Sequence, residues 1–381
     1  MHKLDKSSMN AFAANLTAVR NRLGKSQKEV AARLHVSASL VSKWESGERI
    51  PDETQCWEMG RFFGVTQSFL RAERPAVNFQ PRSQVARDSA QKLDFGVALT
   101  DAGQQIHFLH EVWERTEQLP RRLSLELQWS DQLLPQQAST VRQFLRLNTR
   151  VTYDELREAL SEQEVMVFEW KLPPKMSGLS CQSDFSVIFV NSRMPERVKL
   201  FTLCHELAHL LFHLRGTEQT TVSVMATRND PKEKEANHFA AEFLMPKAEI
   251  ASLIAQSGSR LKTQPGFLAA ADRFGVSNEA MFYRMVQHGI LSYPQKEEFF
   301  TSVKRSPTQA EPAGPRISDL EKHLPRKLLT HVVELVKAEK ASMGKAAEWT
   351  FAARDEVESY LHQLSEDVME LGLAETEGMK D

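Results

Sequence analysis

Cysteine is scarce: three residues in 381, Cys56, Cys181 and Cys204, far apart and without C-x-x-C spacing. That excludes a disulfide framework and fits a reducing compartment. Long apolar runs are missing too. No uncharged stretch is long enough to span a bilayer, and the opening residues M-H-K-L-D-K-S-S-M-N lack the apolar core of a signal peptide. A cytoplasmic protein with no membrane partner is the expectation. Charge of one sign is also lacking, with a net charge of −2, 26% charged residues and 41% hydrophobic residues, as in an ordinary soluble protein. The balance hides a gradient. Residues 1–76 carry 12 Lys/Arg against 8 Asp/Glu, and residues 307–381 carry 9 against 15. A nucleic-acid contact is expected at the basic end and not at the acidic one. The length admits two or three domains with full cores.

What is present begins with a helical unit at 11–74. Leu16, Val19 and Leu23 recur at helical spacing, and Ser26 is placed to cap a short helix from Gln27 to Leu34. A turn at His35 and Val36 leads to Ser37, which caps a third helix ending near Ser46 and Gly47. Two short helices across a tight turn, the second polar on one face, form the helix-turn-helix pattern. Over its whole length S-Q-K-E-V-A-A-R-L-H-V-S-A-S-L-V-S-K-W-E-S-G-E-R-I-P-D resembles the lambda-repressor-like (Xre) DNA-binding family. The resemblance implies that Gln27 bonds a phosphate. It also implies that Ala38, Ser39 and Lys43 face base edges of a double-stranded operator, with Ser37 and Ser42 at the margin. A single domain of this kind binds weakly, so a homodimer reading half-sites roughly 34–36 Å apart is expected.

A boundary at 74–82 leads into a helical connecting region, 83–162. From Glu164 the period changes to that of strands: 165–170, then 179–182 and 185–191, a small antiparallel sheet. After it, 201–213 reads F-T-L-C-H-E-L-A-H-L-L-F-H. Residues four apart share a helix face, so His205 and His209 can offer two imidazole nitrogens to one tetrahedral zinc, with Glu206 as general base. Cys204, one residue earlier, points roughly 100° away and reads as core. A carboxylate on the following helix, K-E-K-E-A-N-H-F-A-A-E-F-L-M, would leave the fourth metal position for water, as in a catalytic site.

Together V-I-F-V-N-S-R-M-P-E-R-V-K-L-F-T-L-C-H-E-L-A-H-L-L-F-H and E-A-N-H-F-A-A-E-F-L-M-P resemble the ImmA/IrrE family of bacterial metallopeptidases. The resemblance implies His205, His209 and Glu235 as metal ligands and Glu206 as the catalytic glutamate; Glu242 and Glu233 are the competing acids. It assigns 163–305 to the peptidase domain, closed by a helical subdomain at 267–290. Tyr283, Arg284 and His238 are candidates for stabilising an oxyanion. A linker at 306–316 and a helical extension at 317–373, matched to no family, complete the chain. The extension reads as a hairpin for dimerisation or partner docking, or as a cover over the peptidase.

The expected fold is therefore multidomain and mainly α, an all-α helix-turn-helix followed by an α+β zincin-like domain and helices. The expected function is a DNA-binding transcriptional regulator with a zinc metalloendopeptidase. The resemblance implies that it cleaves a repressor in a stress or mobile-element response. Mn2+, Fe2+ or cobalt would also suit two His and a carboxylate. Two other readings stand beside it: a transcription factor or antitoxin whose peptidase fold only senses, and a zinc-stabilised scaffold.

Overall fold

The computed structural model describes residues 6–72, 89–118, 121–125, 127–214, 219–224, 230–303 and 319–363. The expected boundary at 74–82 and the linker at 306–316 both fall wholly outside these residues. The chain divides into two compact units, one of which takes in the described residues 6–72, 99–118 and 319–363.

That first unit starts with α1 (Lys6–Arg22), α2 (Gln27–Arg33), α3 (Ala38–Glu45), α4 (Glu53–Phe63) and α5 (Gln67–Leu70). The caps follow from side-chain chemistry. The Ser26 hydroxyl accepts from the Glu29 amide while Glu29 accepts from the Ser26 amide, and Ser37 accepts from Leu40 N. His35 takes the left-handed conformation (φ 53) in the turn between α2 and α3. Leu16, Val19, Val30, Val41, Trp44, Met59 and Phe69 form the core. Arg20 and Gln27 both donate to the Glu45 carboxylate, tying α1 and α2 to α3.

The helix α6 (Ser89–Thr116) supplies residues 99–116 to the same unit. Gln104 accepts from Thr66 N at 3.1 Å, and Gln105 donates to the Trp349 carbonyl at 3.1 Å. Glu111 accepts from Trp349 Nε1 at 2.7 Å and pairs with Lys345 at 2.8 Å, while Trp113 meets His331 edge-on. The expected extension thus packs on 99–116 and completes the helix-turn-helix unit.

The second unit carries α7 (Leu134–Phe144), α8 (Tyr153–Glu162) and strands β1 (Val165–Trp170), β2 (Met176–Gln182) and β3 (Ser186–Asn191). Next come α9 (Glu196–Ala208), β4 (Gln219–Val224) and α10 (Pro231–Leu244). The helices α11 (Lys247–Ser257), α12 (Gln264–Phe274), α13 (Asn278–Gln287) and α14 (Lys296–Val303) close the unit. The strand order is β1-β3-β2-β4. The sheet is mixed rather than wholly antiparallel: β3 inserts between its predecessors and runs parallel to β1, while β2 is antiparallel to β3 and β4. All of β3 and all but the last residue of β1 are buried, so no alternation of polar and apolar residues marked which strands were neighbours. The helices α12 and α13, with Gly275 in the left-handed conformation (φ 64) between them, bury Phe267, Phe274, Phe282 and Met285 in the core.

Candidate metal centre

The helix α9 is buried on nearly every side from Lys199 onward, and so carries its polar groups into the interior. Thr202, His205 and Glu206 are all buried within it. At His209 the helix widens into a π-turn, His209–His213, closed by a bond from Leu214 N to His209 O at 3.0 Å. Such one-turn widenings recur at functional sites. Three imidazoles thus follow one another, edge-to-face from His205 to His209 and tilted from His209 to His213, with ring centroids 4.9 Å apart in both pairs.

The carboxylate that meets the first two is Glu233, on the first turn of α10. Its oxygens lie 3.2 Å from His205 Nε2 and 3.3 Å from His209 Nε2, and the two Nε2 atoms are 3.1 Å apart. The donor atoms of His205, His209 and Glu233 all fall within 4.8 Å of one another, and all three residues are buried. Glu235, the expected third ligand, sits elsewhere. Its carboxylate is 2.9 Å from His213 Nε2 and partly open to solvent. The physical reason is helical phase: Glu233 and Asn237, four apart, share the face turned to α9, and Asn237 Oδ1 lies 3.1 Å from His205 Nδ1. Glu235, two residues on, is rotated off that face.

The electrostatics follow. Burial would raise the Glu233 carboxyl, but hydrogen bonds to His205 and His209 outweigh it and hold the group down at about 2. Burial pushes His209 down to about 4, with Glu233 opposing. His205 resists its burial and is raised by Glu233 and Glu206. Two imidazoles and a buried carboxylate converging on one point form a donor set that suits a divalent ion such as zinc.

Glu206 completes the group from the sheet side. Its carboxylate accepts a 2.7 Å hydrogen bond from the Ser180 hydroxyl of β2. Strand and helix come this close because residue 178 is glycine. A Cβ there would lie 2.6 Å from Glu206 Oε1 and 2.9 Å from Thr202 Cγ2. A Gly178→Val variant is expected to lose about 1–3 kcal/mol of stability through overpacking. Its thermal midpoint should drop, and Gly178→Ala should fall between it and the wild type; an unchanged midpoint would mean that β2 yields freely.

The remaining sequence candidates are dispersed. Arg284 is buried on the Glu242 carboxylate and the Met245 carbonyl, which removes both residues from the metal-facing group. The Tyr283 hydroxyl bonds Glu279 and Lys296, and His238 is exposed. None of the three oxyanion candidates is brought to Glu206. The sequence reading passed over Asn237, Ser180, Gly178 and His213. The H-x-x-x-H spacing of His209 and His213, and the helical spacing of Glu233 and Asn237, were the available signals.

The N-terminal unit presents Ser37, Ser39, Ser42 and Lys43 exposed along α3, with Ala38 half-buried against the core. Gln27 already donates its amide to Glu45 at 2.7 Å. A phosphate contact from Gln27 would have to compete with that bond.

Against known families, residues 160–286 match the IrrE N-terminal-like domain of a peptidase family. The chain carries an IrrE-like domain. Residues 16–69 match the helix-turn-helix model, so the IrrE-like, metallopeptidase-type domain shares its chain with a DNA-binding domain. No curated protein and no solved structure matches the chain. Within the IrrE-like domain the matched span covers all of the converging residues: Gly178, Ser180, His205, Glu206, His209, His213, Glu233, Glu235 and Asn237. Among the described residues, no helix is long and apolar enough to cross a membrane.

Proposed function

We propose that the protein is a DNA-binding regulator whose IrrE-like domain is a metal-dependent endopeptidase acting on another regulatory protein, a repressor. The observation that carries this reading is the buried convergence of His205, His209 and Glu233 beside a separate, hydrogen-bonded Glu206. His205, His209 and Glu233 would hold the ion. A divalent metal there supplies Lewis-acid polarisation of a carbonyl and acidification of a water molecule. Glu206 takes the proton of the attacking water and returns it to the leaving amine. Ser180, donating to one carboxylate oxygen, fixes the carboxylate's orientation for that task. The helix-turn-helix concentrates the enzyme on an operator through the exposed face of α3, as a dimer where two half-sites are read.

The test is cleavage of purified helix-turn-helix repressors, and of the chain itself, by the zinc-reconstituted protein, with fragments identified by intact mass spectrometry. Cleavage that stops on chelation and returns with zinc supports the reading. DNA binding retained without cleavage of any such protein would favour instead a transcription factor or antitoxin in which the peptidase fold senses rather than cuts.

A further inference from the structure

The ligand His209 ends a hydrogen-bonded row that the proposed mechanism leaves unused. Its Nδ1 lies 2.8 Å from His213 Nδ1, and His213 Nε2 lies 2.9 Å from Glu235 Oε2. His213 is buried, while Glu235 reaches solvent. Each member constrains the next. An ionised carboxylate only accepts, so His213 Nε2 must carry the proton that faces Glu235. A neutral imidazole has one N–H, so His213 Nδ1 is then a bare acceptor. Facing it, His209 Nδ1 must donate, and His209 Nε2 is left with its lone pair. That nitrogen is the one turned toward His205 Nε2 and Glu233, whose carboxylate competes for the same proton until a cation takes its place. On the other side His205 Nδ1 faces the acceptor Asn237 Oδ1 at 3.1 Å, which by the same logic bares His205 Nε2. Two bare nitrogens and a carboxylate then share one buried point, an arrangement that a cation reconciles.

We propose that Glu235, acting through His213, selects the tautomer of His209 and so holds Nε2 free as a ligand. Glu235 and His213 are thus positioning residues, and Glu235 acts on the metal at one remove. The inference rests on the metal reading, but its first test needs no metal. Nitrogen-15 NMR of the imidazoles in the metal-free full chain carrying Glu233→Ala, which removes the carboxylate that competes for the Nε2 proton, near pH 8.5 and above the usual imidazole range, reports the tautomer of each ring. With Glu235 in place, His209 is expected to be protonated at Nδ1 in this background. Glu235→Lys replaces an acceptor with a donor and reverses the row, so His209 should carry its proton at Nε2. Glu235→Ala should show a mixture.

Zinc affinity, measured by competition with a chromophoric chelator, is expected to fall about 10–100-fold in Glu235→Ala and in His213→Phe. It should fall further in Glu235→Lys. The added charge of the lysine is controlled in the His213→Phe background, where Lys and Ala at position 235 should differ by much less than they do with His213 present. Glu235 lies at a partly exposed position, so its variants probe the row even where His213→Phe fails to fold. A His209 tautomer unmoved by Glu235→Lys in a folded protein overturns the proposal. So does wild-type zinc affinity in Glu235→Lys beside lost affinity in His205→Ala. Absence of zinc binding by the wild type would overturn the metal reading instead, and the tautomer series would still decide the row.

Discussion

Replacing Glu233 by Ala is expected to strip the purified protein of its metal, while Glu235→Ala leaves the metal in place at reduced affinity. The two residues are separated by a single position, and sequence reading favoured Glu235. Geometry separates them. Glu233 approaches both His205 and His209 Nε2, whereas Glu235 touches only the far nitrogen of His213. Loss of a direct ligand leaves two imidazoles, too few to hold an ion against competing buffers. Its effect should therefore exceed the roughly 10–100-fold cost of changes around a ligand. Elemental analysis of the wild type, His205→Ala, Glu233→Ala and Glu235→Ala decides the matter in one experiment. About one metal per chain in the wild type and in Glu235→Ala, with none in the other two, is the expected pattern. Retention in Glu233→Ala with loss in Glu235→Ala would sink the assignment. Circular dichroism of each variant separates ligand loss from unfolding, because Glu233 is buried and its removal leaves a gap.

The contrast between Glu233 and Glu235 also marks where sequence reasoning reaches its limit. Local rules identified what local physics controls: the Ser26 and Ser37 caps, the short helices they start, and the H-E-x-x-H face, since each depends on residues within four positions. Helical phase between two separate helices is another matter. Which face α10 turns to α9 depends on Ala236, Phe239, Ala240 and Phe243, all buried, and on an intervening segment that includes the unexpected strand β4. The pairing of Asn237 with Glu233 at helical spacing held the missing information, because an amide poised to orient a histidine accompanies the ligand on the same face. The sheet was misread in one respect for a related reason. The strands could be located, but buried strands carry no alternation to reveal that β3 enters between β1 and β2. Partners distant in sequence were the least legible. Nothing in the segment from 319 onward announces that Trp349 meets Gln105 and Glu111.

Glu206→Gln should be the cleanest test of chemistry against scaffold. Glutamine has nearly the same shape, so the variant is expected to fold normally, since the Ser180 hydroxyl can still donate to its amide oxygen as it does to Glu206 Oε2 at 2.7 Å. Glu206 is not among the residues converging on the candidate metal point, so metal content should match the wild type. What the amide cannot do is accept a proton from water. Turnover is therefore expected to fall about 10^2–10^4-fold, the usual worth of a positioned general base. The fall should appear in kcat with KM little changed, because the carboxylate acts on the attacking water rather than on the peptide. Ser180→Ala should cost less, since it loosens the base without removing it. A Glu206→Gln protein that cleaves at the wild-type rate would transfer the proton acceptor to another group. One that also loses its metal would show that Glu206 helps to hold the ion. Full DNA binding in the variant is expected in every case, because the operator contacts proposed for α3 lie in the other compact unit of the chain.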